Sequence, residues 1–100
     1  MKEYESVISS NPVVLVEFYA TWCPHCRKMA PIVEQVKELL GDAVKVDLFD
    51  IDQFNDFADE AEVEGVPTFI VYRNGNEVWR HSGEIDGNVL YEKVQSFMNW

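Results

Sequence analysis

Cys23 and Cys26 are the two cysteines of a 100-residue chain, three positions apart, with Pro24 and His25 between them. A bridge across so short a loop gains little as a staple, because cross-link stabilisation grows with the length of chain closed. The pair is better suited to chemistry. A thiolate can attack a substrate disulfide to form a mixed disulfide, which a second thiol one helical turn away resolves. Zinc is the other chemistry a C-x-x-C pair supports, but a tetrahedral site needs two more ligands, and outside the motif His81 is the remaining Cys or His. Carboxylates would have to complete such a site. Context favours redox exchange, since the pair lies where a strand pattern hands over to a helical one.

That context comes from the elements on either side. Val13-Val14-Leu15-Val16-Glu17-Phe18-Tyr19 is β-branched and aromatic with almost no alternation, the pattern of a strand covered on both faces, and we read it as central and mostly parallel. From Cys26 onward Met29, Ile32, Val33, Val36, Leu39 and Leu40 recur at helical spacing. Pro31 is expected to kink this helix and Gly41-Asp42 to end it. A cysteine at the start of a helix meets free backbone N–H groups and the positive end of the dipole, which lower its thiol pKa. Cys23 is therefore the expected nucleophile and Cys26 the resolving thiol. An imidazolium at His25 would further favour the Cys23 thiolate, stabilising the reduced form and making the disulfide a stronger oxidant; Pro24 shares in setting that balance.

The rest of the chain continues the α/β alternation. Glu3 to Ser9 suits a short lead-in helix broken at Asn11-Pro12. Val44, Val46 and Leu48 alternate with Lys45, Asp47 and Phe49 in a second strand whose charges fit a sheet edge. Gln53 to Ala61 reads as a short helix packed by Phe54, Phe57 and Ala58, and Gly65-Val66-Pro67 leads into a strand over Thr68 to Tyr72. Asn74-Gly75 signals a hairpin to Glu77–Ser82, closed by Gly83. Asp86 can cap a last helix with Val89, Leu90, Val94, Phe97 and Met98 on its apolar face. The order is β-α-β-α-β-β-α after the lead-in helix, a single domain over residues 1–100.

Composition narrows the partners. With 47% hydrophobic side chains the chain can build a core, while 18 acidic residues against 8 basic give a net charge of -10, which repels nucleic acid and anionic lipid. The apolar run from Val13 to Trp22 contains Glu17 and is about half of the ~20 residues a membrane span needs. The acidic N-terminus lacks the basic-then-apolar order of a secretory signal, so the expected compartment is the cytoplasm, with an exported mature form as the alternative. The acids Asp47, Asp50, Asp52, Asp56, Asp59, Glu60, Glu62 and Glu64 read as a solvated face, or more sharply as a docking surface for a basic partner. Arg27 and Lys28 fit the exposed face of the helix.

Glu17 carries a cost of its own. A carboxylate inside an apolar strand needs a partner or a proton, and burial should raise its pKa; the alternative is that it reaches solvent at the strand end.

The segment from Val16 to Pro31, with Trp22-Cys23-Pro24-His25-Cys26 at its centre, closely resembles the active-site stretch of thioredoxins and protein disulfide isomerase domains. Gly65-Val66-Pro67-Thr68 resembles their second signature, and the spacing, the Arg73-Asn74-Gly75 turn and Gly83 extend the likeness from Val13 to the C-terminus. The resemblance implies a thioredoxin fold: a mixed sheet of four, or at most five, strands flanked by helices. Only twelve residues precede Val13, so the family's first strand is expected to be reduced or missing, leaving an exposed edge at Val44 to Phe49. It implies a cis Val66–Pro67 bond beside the cysteines. It also implies a substrate groove of Trp22, Val66, Pro67, Gly83 and Ile51, and Glu17 beneath the second cysteine as its proton relay.

The implied activity is thiol–disulfide exchange with protein substrates, foremost as a protein-disulfide reductase. The implied protein is a monomer with no cofactor beyond the Cys23–Cys26 pair, served by a reductase such as a thioredoxin reductase. Two departures leave alternatives open. Cys-Pro-His-Cys resembles the oxidant DsbA, though without its helical insertion, so an oxidant or isomerase is the rival direction. The basic residue expected early in the second strand is absent from Val46-Asp47-Leu48, which removes the usual charge partner of Glu17. A rival of another class is a non-enzymatic adaptor that binds proteins through the groove and the acidic face.

Overall fold

In the computed structural model, which describes residues 2–99 without the side chain of Lys2, strand β1 (Val13–Tyr19) is the spine. Successive side chains of a strand point to opposite faces, and here both faces are covered. Val14, Val16 and Phe18 pack with Tyr4, Phe57 and Ile70 on one side. Val13 and Leu15 pack with Met29, Val33, Leu90 and Val94 on the other. That double burial explains the missing alternation, each large apolar side chain contributing roughly 1.5–3 kcal/mol.

The four-stranded sheet has the order β2-β1-β3-β4. Strand β2 (Lys45–Asp50) runs parallel to β1, whereas β3 (Thr68–Arg73) is antiparallel to β1 and β4 (Asn76–Ser82) is antiparallel to β3. The spine strand is thus mixed in its pairing and not mostly parallel, and no fifth strand occurs among the described residues. β2 forms an edge, as its charges suggested. Its alternation does not hold to the end: Val44 is buried on the Met29 side, Leu48 on the same phase is 44% exposed, and Phe49 enters the Tyr4 cluster.

Among the described residues four α-helices cover the sheet. α1 (Lys2–Ile8) sets Tyr4 among Phe18, Phe49 and Phe57, and the hydroxyls of Tyr4 and Tyr72 share a hydrogen bond of 2.8 Å. α2 (Pro24–Leu40) continues through Pro31 and ends at Gly41, whose φ of 60° suits glycine, before a 3-10 turn over Gly41–Ala43. α3 (Asn55–Glu60) is shorter than the spacing of its apolar residues predicts, because the Gln53 and Phe54 N–H groups bond to the Asp50 carbonyl at 3.0 and 2.8 Å in a separate turn. α4 (Gly87–Ser96) is capped by Asp86, which accepts from the N–H groups of Asn88 and Val89 at 2.9 and 3.3 Å. Its buried side chains are Leu90 and Val94; Val89 is half exposed, and Phe97 and Met98 pack from beyond the helix end. The β3–β4 turn has Asn74 and Gly75 at φ of 51° and 83°, the primed geometry that the Asn-Gly pair favours.

Candidate active site

The junction of β1 and α2 places the cysteines. Cys23 is the N-cap of α2, and its sulfur accepts the Cys26 N–H at 3.3 Å, so a free helix donor points at that sulfur. When protonated it donates to the Val66 carbonyl, 3.7 Å away. Both thiols are free and buried. Their environments differ in sign: the contact with Cys26, its backbone N–H and the Arg27 charge hold the Cys23 thiol below its ordinary pKa. Burial first, then the Cys23 contact, pushes Cys26 up to about 12. One thiol is made acidic and its neighbour is kept protonated.

Glu17 shares the phase of Val13 and Leu15 and therefore points toward α2, beneath Cys26. It is 4% exposed, and burial raises its pKa to about 7. It does not reach solvent at the strand end. Glu17 and Cys26 line one cleft of about 290 Å³ with Tyr19, Ala30, Glu34, Lys37 and Leu48. Leu48 stands opposite Glu17 in the β1–β2 register, where a basic residue would have met it.

A second cleft of about 540 Å³ opens at Cys23 and runs toward α3. Trp22, Pro24, His25, Ile51 and Val66 line it with Ala58, Asp59, Val63 and Glu64. Trp22 is 62% exposed, its indole N–H donating to Asp52 at 2.9 Å, which places it on the rim and not in the core. The Asp52 N–H in turn donates to the Asp50 carboxylate at 2.9 Å. Pro67 and Gly83 do not line this cleft. They adjoin one another, the Gly83 N–H donating to the Pro67 carbonyl at 2.8 Å, and the Val66–Pro67 bond is cis. The His25 ring contacts Glu84, Nδ1 lying 2.5 Å from the carboxylate, while the His25 backbone N–H helps to lower the Cys23 thiol.

The acidic run divides once folded: Asp50 is buried and Asp52 is engaged with Trp22, while Asp56, Asp59, Glu60, Glu62 and Glu64 are exposed. Asp52 and Glu84 are the site residues that spacing could not reveal, since each acts across the fold on a partner 30 and 59 positions away. Among the described residues no group of three or more His, Cys, Asp and Glu is placed to hold a metal ion, and no helix is long and apolar enough to cross a membrane.

Comparison with known proteins agrees with this geometry. The thioredoxin family model matches residues 1–96. Chloroplastic thioredoxin Y of Oryza sativa subsp. japonica is 38% identical over 92 residues, 92% of this chain and 55% of its own length. Thioredoxin-2 of Saccharomyces cerevisiae is 43% identical over 82 residues, 81% of this chain and 78% of its own. The chain thus spans about half the length of the chloroplastic relatives it matches. A mutant thioredoxin from Halobacterium salinarum NRC-1 superposes with a TM-score of 0.86 at 33% identity, covering 98% of this chain and 85% of that one. Oxidised thioredoxin from Plasmodium falciparum gives a TM-score of 0.83 at 28% identity over 98% of this chain and 92% of its own. With its fold, its cysteine pair and a family match over nearly its whole length, this chain belongs to the thioredoxin family.

Proposed function

We propose that the chain is a thioredoxin-type protein-disulfide reductase. The observation that carries this reading is the placement of the pair: Cys23 caps α2 and accepts the Cys26 N–H at 3.3 Å, which lowers its thiol, while Cys26 is buried one turn inside beside Glu17, which raises it. The Cys23 thiolate attacks one sulfur of a substrate disulfide, forming a mixed disulfide and releasing the other substrate sulfur as a thiolate. Cys26 then loses its proton and attacks Cys23. The Cys23–Cys26 disulfide forms, the second substrate thiolate leaves, and two electrons have passed to the substrate.

Glu17 takes the Cys26 proton. A carboxyl with a pKa of about 7 exchanges protons readily near neutrality, and the cleft it shares with Cys26 is wide enough for a bridging water. Trp22, Ile51 and Val66 hold the substrate chain beside Cys23, with Pro67 and Gly83 shaping the adjoining backbone; His25 and Pro24 set the potential. The substrates are protein disulfides, and a thioredoxin reductase or equivalent dithiol donor regenerates the pair. No cofactor beyond the dithiol enters this cycle, the protein acts as a monomer, and its working compartment is a reducing one such as the cytoplasm.

The test is reduction of insulin disulfides with dithiothreitol as donor. Cys23→Ser should abolish turnover, while Cys26→Ser should accumulate a mixed disulfide that a reductant releases. Capture of substrate proteins that is undiminished by Cys23→Ser, with no turnover by the unaltered protein, would overturn the reading in favour of an adaptor.

A further inference from the structure

Glu84 follows Gly83 in the loop between β4 and α4, and its side chain reaches across to the first turns of α2. One carboxylate oxygen meets His25 Nδ1 at 2.5 Å and the other meets Lys28 Nζ at 3.2 Å. The loop is held from behind: the Gly83 N–H donates to the Pro67 carbonyl, and the His81 ring Nε2–H donates to the Glu84 carbonyl at 3.0 Å. His25 and Lys28 hold the Glu84 carboxyl below the usual carboxylate range. A charged carboxylate can only accept, so Nδ1 is the His25 nitrogen that carries the proton of this bond.

The reduced and oxidised forms of the pair differ by the Cys23 thiolate. A cation near it favours the dithiol and makes the disulfide a stronger oxidant; an anion does the reverse, and neither acts comparably on the uncharged disulfide. On α2 the cation that acts on Cys23 is Arg27, turned to the Thr21 carbonyl at 3.0 Å; on either side of it His25, which lines the Cys23 cleft, and Lys28 meet Glu84. Across the cleft stand Asp59 and Glu64. Glu84 is the acid in direct contact with both His25 and Lys28.

We propose that Glu84 is a positioning residue that tunes the redox balance of the pair: held by His25 and Lys28 against the first turns of α2, it sets a negative charge at the helix end that carries the Cys23 thiolate, and so holds the Cys-Pro-His-Cys motif toward the reducing side. This rests on the dithiol cycle proposed above. It explains how a motif like that of an oxidant can serve a chain whose relatives are thioredoxins.

Glu84→Gln keeps the size and removes the charge. The protein is equilibrated in glutathione buffers, where dithiol protein and glutathione disulfide exchange with disulfide protein and two glutathiones. The variant should lie toward the dithiol by about fivefold, about 20 mV more oxidising at ~30 mV per tenfold. Cys23 should also be alkylated at a lower pH. Glu84→Asp, which keeps the charge, should return most of the difference, and 1 M salt should shrink it. Glutathione is too small to need the protein-docking groove, so a loop that merely shapes that groove would not move this constant. An equilibrium constant equal to that of the unaltered protein, or a shift that salt leaves untouched, overturns the proposal. If the unaltered protein forms no Cys23–Cys26 disulfide in any buffer, the dithiol cycle itself falls and this inference with it.

Discussion

Cys23 and Cys26 are the same side chain one helical turn apart, and what distinguishes them is which backbone each meets. Cys23 stands outside the first turn and receives its Cys26 N–H at 3.3 Å; Cys26 stands inside that turn, on the buried face of α2 over Glu17, where burial, the Cys23 contact and a neighbouring carboxylate all oppose a negative charge. The difference should appear directly in alkylation. At pH 7, iodoacetamide should modify the reduced protein at Cys23 at least ~100-fold faster than at Cys26, as peptide mass spectrometry would show, because the thiolate is the reacting species. In Cys23→Ser the remaining thiol should label slowly. Equal rates at the two positions would remove the asymmetry on which the mechanism depends. The place of the cysteine pair at a strand-to-helix junction and the burial of Glu17 were legible from residue type and neighbours. Glu84 and Asp52 were not, because a surface acid in a charged sequence has no local pattern that marks its partner; only the fold brings Glu84 to His25 and Asp52 to Trp22.

At the scale of elements, β1, α2 and the β3–β4 hairpin were readable because each is dictated locally: an apolar run buried on both faces, a 3.6-residue repeat after a cap, and an Asn-Gly turn. The ends of α3 and the outer face of α4 were not, since they depend on tertiary contacts. Asp50 diverts the residues before Asn55 into a turn, and Val89, though in phase with the helix repeat, is half exposed. Gly87 shows how closely α4 lies on α2, for a Cβ there would sit 2.9 Å from Ile32 Cγ2. The start of α4 is consequently under strict positional control, and Asp86 supplies it with two accepted N–H bonds. Asp86→Ala should cost about 1 kcal/mol and lower the thermal midpoint by roughly 4–8 °C, with insulin reduction at 25 °C unaffected. Calorimetry and the turnover assay would read the two effects separately, and an unchanged midpoint would mean that the cap contributes nothing.

For the whole molecule, the buried carboxylate ties stability to pH. Glu17 titrates at about 7 when folded and at 4.5 when exposed, so the unfolded chain releases its proton first as pH rises. Below about pH 4.5 the group is neutral in both states and costs nothing. Between about 4.5 and 7 the unfolded state gains a solvated carboxylate that the folded state resists forming, and stability falls. Above about 7 both are charged and the loss levels off, at about 3 kcal/mol from ~1.36 kcal/mol per pH unit over that gap. That is a substantial part of the 5–15 kcal/mol typical of a small domain. Glu17→Gln should therefore be more stable than the unaltered protein in urea at pH 8, by up to about 3 kcal/mol, and equal to it near pH 4. The same variant should resolve mixed disulfides on the order of 100-fold more slowly at pH 7, with the deficit closing as pH approaches the Cys26 thiol's own range. A neutral side chain would make a sturdier fold, and the proposed proton relay would give a carboxyl its use there. Stability curves for the two proteins that stay parallel from pH 4 to 8 would show that Glu17 pays no burial penalty and would undo its assignment as the relay.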